Sequence, residues 1–234
     1  MSLSQTAALL QQRLNLDLPP VALTLVSERP EGIENLTEQV PSACTFWRRA
    51  ERGVFYASAD DHMGCAIGGM VMGFELSESK TKELMGLVEQ MCAICYLQPE
   101  EVPHIPQFKQ PSSGVVYGPL SQFPLVPDVA LIWVTPAQAM LLQESVGAVQ
   151  WADSPSNAVF GRPACGVLPT AAASGQTTLS LGCMGMRTFT EIPADRCLIA
   201  IPGSILASLG DKMEQTFSAN EKMREFYVGH KASY

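Results

Sequence analysis

The chain contains no run of Lys or Arg, and its formal net charge is −8. An acidic surface without a basic patch disfavours nucleic acid and anionic membranes as partners. No uninterrupted apolar stretch approaches the roughly 20 residues that span a bilayer. The N-terminal MSLSQTAALLQQRLNLDL lacks the basic-then-apolar pattern of an export signal, so the expected compartment is the cytoplasm. Also missing are a G-x-G-x-x-G after a strand, a P-loop, a G-x-S-x-G elbow and an H-E-x-x-H pair. Nucleotide binding, serine hydrolysis and zinc peptidase chemistry therefore lack support.

What the chain does have is apolar residues and sulfur. Hydrophobic residues make up 47% of its 234 positions against 16% charged, the profile of a core-forming globular chain. Seven cysteines stand at 44, 65, 92, 95, 165, 183 and 197. An odd count without an export signal argues against a disulfide framework and leaves metal ligation, redox chemistry or plain burial.

Residues 4–14 carry the apolar spacing of a short amphipathic helix, ended by Pro19-Pro20. VALTLV at 21–26 is β-branched and predicts a strand. Further strands are predicted at VFYASADD, VVYGPL, DVALIWV, TTLSLG and CLIAI. Ser77 to Gln98 reads as the longest helix, capped by Ser77 or Ser79, with Leu84, Leu87, Val88 and Met91 on its buried face. A second helix starts at Thr135-Pro136 and closes at Gly147, and a third lies between Pro202 and Gly210. A last short helix covers Ser218 to Val228. Continuous apolar strands running into helices predict an α/β fold, or α+β with a mixed sheet, with helices packed on the sheet. One interlocked domain over 1–234 is expected, with the prolines near 103–111 as the only candidate seam. VALTLV and VALIWV echo each other, and each is followed some forty residues later by a cysteine in a small-residue segment. The echo suggests two loosely similar halves in which Cys65 and Cys165 occupy related positions.

The stretch from Gly161 to Arg187 is rich in small residues and poor in charge. It holds Cys165 and Cys183, with Arg162 and Arg187 close in sequence. Cys44 and Cys65 sit in similar settings, Cys44 with Arg48 and Arg49 nearby. Cationic neighbours and helix N-termini favour the thiolate that metals and nucleophilic chemistry need. Cys92 and Cys95 form a Cys-x-x-Cys pair near the end of the predicted long helix, where the dipole does not favour thiolate, and read as buried helix-face thiols. Cys197 reads as a core strand residue. Asp60, Asp61 and His62 suit a solvated turn, with one of them as a partner standing behind a ligand, or as an extra ligand, the alternative. His104 and His230 read as surface residues, and Met63, Met70, Met72, Met184 and Met186 as gap-fillers around the cysteines.

The segments PPVALTL, CTFWRRAERGVFY, CAIGGMVMGF, VVYGPLSQFPLVPDVALIWVTPAQAMLLQES, RPACGVLPTA, LGCMGMR and LIAIPGSIL together resemble the bacterial and archaeal proteins of domain-of-unknown-function family 169. The resemblance singles out Cys44, Cys65, Cys165 and Cys183 as recurrent, with Arg49 and Arg187 on family-like positions, and leaves Cys92, Cys95 and Cys197 outside. It implies no reaction. The expectation is a cytoplasmic protein that holds an iron–sulfur cluster, or zinc, on those four cysteines. Arg49, Arg162 and Arg187 would neutralise cluster charge or hold a substrate anion. With three ligands an open iron would act as a Lewis acid on a small molecule; with four, electron transfer with a redox partner or a structural role is expected. Two other readings remain open: a metal-free thiol enzyme or redox sensor, and a small-molecule binding module with buried cysteines.

Overall fold

The computed structural model describes residues 1–36, 38, 40–146, 158–159 and 162–232. It is a seven-stranded mixed sheet covered by helices on both faces. The strands are β1 (Val21–Val26), β2 (Phe55–Ser58), β3 (Gly114–Pro119), β4 (Val129–Val134), β5 (Ala158–Val159), β6 (Thr178–Ser180) and β7 (Cys197–Pro202). Their order across the sheet is β2-β3-β1-β4-β7-β6-β5. Every neighbouring pair is antiparallel except β5 on β6. The helices are α1 (Leu3–Leu14), α2 (Thr45–Arg49), α3 (Ala66–Val71), α4 (Glu78–Ala93), α5 (Pro136–Ser145), α6 (Val167–Ser174), α7 (Met184–Thr190), α8 (Gly203–Leu206) and α9 (Leu209–Lys231). Among the described residues no helix is long and apolar enough to cross a membrane.

Strands β3, β4 and β7 are buried along their whole length, which is why they read as unbroken apolar runs rather than alternating ones. Val21, Leu23, Tyr117, Leu131, Trp133 and Leu198 point to one face, where α2, α3, α6 and α7 pack. Ala22, Val116, Ala130, Ile132, Ile199 and Ile201 point to the other, under α1, α5, α8 and α9.

The sheet is built from two copies of one three-strand unit. In each, the first strand is innermost, the second is outermost and the third is laid between them: β1, β2, β3 in one half and β4, β6, β7 in the other. The inner strands pair with Val21 opposite Leu131, Ala22 opposite Ala130 and Leu23 opposite Val129. The two Val-Ala-Leu tripeptides thus pair with each other, and an approximate twofold axis passes between Ala22 and Ala130. The outer register repeats as well, since Val21 faces Pro119 and Val129 faces Pro202. Even a joining hydrogen bond recurs at 2.9 Å: the Leu120 N–H donates to Pro20 O, and the Gly203 N–H donates to Asp128 O. The echo between the halves is therefore structural.

Several helix boundaries differ from expectation. α4 stops at Ala93, and the longest helix is α9, which absorbs both the predicted stop at Gly210 and the predicted terminal helix at 218–228. Thr135 and Pro136 start α5 with a capping box, while Gly147 lies outside the described residues. The prolines at 103–111 belong to a segment inserted between α3 and β3, whereas the halves join after β3.

Gly203 opens α8 where a Cβ would lie 1.7 Å from the Pro127 carbonyl oxygen. Gly203→Ala is expected to cost at least about 2 kcal/mol, because backbone must shift to admit the methyl. Gly86, inside α4, has open space around it, and Gly86→Ala should stabilise by about 0.5–1 kcal/mol through helix propensity. Urea denaturation midpoints of the two variants check both directions.

Candidate functional site

The four cysteines singled out in the sequence line one cavity of about 390 Å³. It lies on the face carrying α2, α3, α6 and α7. The repeat explains how residues so far apart meet. Cys44 stands at the start of α2, before the outer strand of the first half, and Cys165 stands just before α6, ahead of the outer strand of the second. Cys65 and Cys183 each follow that strand and cap the next helix. The internal equivalence is therefore Cys44 with Cys165 and Cys65 with Cys183. The pairing of Cys65 with Cys165 suggested by sequence distance is incorrect, because the loops before and after the outer strands differ in length between the halves.

Both capping cysteines have the extended backbone of an N-cap, and each sulfur accepts a backbone N–H: from Gly68 at 3.3 Å to Cys65 and from Met186 at 3.4 Å to Cys183. The small residues around Cys65 have a steric reason. A Cβ on Gly64 would lie 2.1 Å from Val40 O, and one on Gly68 would lie 2.7 Å from the Ala43 Cβ. Glycine lets the start of α3 press against the segment that delivers Cys44.

Cys44 and Cys165 are buried. Burial pushes both thiols well above their ordinary range. Negative charge on Cys44, Cys65 and Cys183 raises Cys165 further. At Cys44 the Ser42 side chain opposes the rise, while Cys183 and Cys65 add to it. The four sulfurs therefore feel one another's charge, and ionising more than one without a cation between them is unfavourable.

Beneath them sits an aromatic floor of Phe46, Phe55, Phe74, Tyr117 and His62. His62 is fully buried, which overturns its reading as a solvated turn residue. Its Nδ1–H donates to Ser58 O at 2.7 Å, so Nε2 accepts the Tyr117 hydroxyl at 2.9 Å. Asp61 holds the turn by accepting from the Ser58 N–H and hydroxyl, both at 2.7 Å. Burial, against the pull of Ser58 O and Asp61, lowers His62 from 6.5 to about 4.

The roof is the inserted segment, α4 and the turns after it. Leu87, Val88 and Met91, expected in the core, are only half-buried because they face the cavity; Leu84 alone on α4 is buried. At the end of α4, Cys95 is exposed with φ 57° and Cys92 is half-buried, which corrects their reading as buried thiols. Cys197 is buried in β7, its thiol donating to Val134 O at 3.3 Å. Met72 and Met186 are buried, but Met184 is 67% exposed. His104 is exposed, as is His230.

Of the three arginines named from sequence, only Arg162 borders the cavity among the described residues. Arg49 pairs with Glu38 at the surface. Arg187 donates to the carbonyls of Leu181 at 2.6 Å and Arg196 at 3.0 Å, closing the loop between α7 and β7. Sequence reasoning missed Tyr117, Tyr96 and Glu101; Tyr117 resembled any strand aromatic, and the other two lie in the inserted segment. No three Cys, His, Asp or Glu side chains among the described residues stand in an arrangement that would close on a single metal ion.

The depressed His62 sets an acid limit on stability. The unfolded chain takes up this proton below about pH 6.5, but the fold does so only below about 4. Stability is complete above 6.5 and falls as pH drops towards 4, by about 3 kcal/mol from this group. In metal-free protein, denaturation midpoints between pH 7 and 4 should show that loss, and His62→Gln should flatten the slope.

Residues 9–211 match the uncharacterised ArCR family, domain-of-unknown-function family 169, and the chain belongs to it. An uncharacterised protein of Methanocaldococcus jannaschii is 26% identical over 225 residues, covering 90% of this chain and 93% of that one. No solved structure matches.

Proposed function

We propose that this member of the uncharacterised ArCR family holds a thiolate-ligated metal centre, an iron–sulfur cluster before zinc, on Cys44, Cys65, Cys165 and Cys183. One observation carries the reading: four cysteines spread over 140 positions, two from each copy of a repeated unit, converge on one cavity. An all-sulfur donor set suits iron–sulfur clusters and zinc. Tetrahedral zinc with bonds of about 2.3 Å needs its sulfurs about 4 Å apart. Since no three candidate ligands are arranged for a single ion, a polynuclear cluster, which spaces its thiolates more widely, suits the donors better.

The chain's own contributions follow from the geometry. Burial disfavours lone charge on Cys44 and Cys165, and a metal cation would make their deprotonated forms favourable. The N–H groups of Gly68 and Met186 donate to the sulfurs of Cys65 and Cys183 and orient them. Under the apolar roof Cys44 and Cys165 are buried, while Cys65 and Cys183 stay partly exposed. A centre bound there would supply electrons or Lewis acidity to a small molecule in the cavity.

Anaerobic purification, visible absorbance and iron, sulfide and zinc analysis test this. Single alanine variants at the four cysteines should each abolish or strongly lower the metal content. The Cys92→Ala, Cys95→Ala double variant should leave it unchanged. A colourless, metal-free protein that resists reconstitution, with a thiol titrating well below the free value, would replace this reading with that of a thiol enzyme or redox sensor.

A further inference from the structure

The twofold repeat predicts an even-handed site, and the cavity departs from it in two ways that act together. The first is the roof. The segment from α4 to β3 has only the short loop 191–196 as its counterpart in the second half. The second is a guanidinium. Arg162 stands three residues before Cys165, where the first half has Pro41 three residues before Cys44. These departures meet in space. The Arg162 guanidinium lies 4.6 Å over the Tyr96 ring, and its Nη2 donates to Glu101 Oε2 at 3.2 Å, both partners belonging to the inserted segment.

Arg162 is held in place but not fully engaged. Its Nε is shut off from solvent and has no hydrogen-bond partner among the described residues. A buried donor without an acceptor carries a desolvation cost that an arriving acceptor removes. Nε and Nη2 form the side edge of the guanidinium, which matches the two oxygens of a carboxylate. Glu101 satisfies one of the two positions, from a half-exposed side chain whose Oε2 also accepts the Gln98 N–H. Most of the other lining is apolar, with Leu84, Leu87, Val88, Met91 and Phe189 above and the sulfurs below; the carboxylate among it, Glu83, is paired with Lys80.

The geometry points to a small monoanionic carboxylate with an apolar body as the ligand of this cavity, its head on the Nε–Nη2 edge of Arg162 and its hydrocarbon under α4. Charge separates this class from phosphates. One guanidinium already shared with Glu101 does not favour a dianion. A monocarboxylate replaces the Glu101 oxygen and supplies the acceptor that Nε lacks. A cavity of about 390 Å³ falls in the range of small-molecule sites. The inference deepens the reading of this cavity as the functional site, and it depends on the guanidinium rather than on which centre the sulfurs hold.

Isothermal titration with octanoate, octanol and octylamine tests it, on protein as isolated and after chelator treatment. Octanoate should bind at least about tenfold tighter than octanol, as expected for a charge-assisted pair, and octylamine should bind more weakly than either. Arg162→Gln should erase the preference for octanoate while leaving octanol binding unchanged, which also shows that the variant is folded. Glu101→Gln should tighten octanoate, since a competing carboxylate is gone. Equal binding of octanol and octanoate to the wild type, an undiminished preference in Arg162→Gln, or no saturable octanoate binding would each overturn the assignment. Preference retained after chelation, or in protein that never carried metal, supports the carboxylate site whatever becomes of the metal reading.

Discussion

Everything at the cavity depends on the pairing of two short inner strands. Val21, Ala22 and Leu23 lie antiparallel to Val129, Ala130 and Leu131, with the alanines opposite each other. A slip of one residue would turn each apolar set to the other face of the sheet and exchange the contents of the two cores. The same slip would carry one pair of cysteines away from the other, because each pair hangs on connections belonging to its own half. The site is thus a consequence of strand register before it is a consequence of any local motif.

Within that frame the cysteine environment rests on opposed forces. Close packing through Gly64 and Gly68 brings Cys65 to Cys44, and burial then disfavours charge on the deeper thiols. At the two capping cysteines, backbone N–H groups hold the sulfurs in place. The aromatic floor fixes the arrangement from below: Tyr117 is hydrogen-bonded to a histidine that the fold keeps neutral, so the floor adds no cation to the thiols. Among the described residues, positive charge enters only at the rim, through Arg162.

Much of this was legible in the sequence, for physical reasons. Continuous apolar strands announced a sheet covered on both faces, and cysteines flanked by small residues announced positions of close approach. The four cysteines that line the cavity separated cleanly from Cys92, Cys95 and Cys197. The internal pairing was not legible, because insertions before and after the outer strands shift Cys65 and Cys183 relative to the repeat, and sequence distance cannot see through them. The role of α4 was hidden as well. Leu87, Val88 and Met91 have the spacing of a core face, and a face turned to a cavity carries the same residues as one turned to a core. Arg162, Arg49 and Arg187 looked alike by proximity to cysteine; only the fold shows that a backbone loop occupies one and a surface glutamate another.

The threading of each half has a consequence for the order of events during synthesis. In both units the third strand is laid between the first two, so β7 at 197–202 must enter between β4 and β6 before that half is complete. Until then the outer strand preceding Cys183 has no neighbour holding it to the inner sheet. The four cysteines are therefore brought to one cavity only after residues 197–202 have left the ribosome and entered the sheet. A nascent chain that stops short of β7 carries all four thiols without the framework that gathers them.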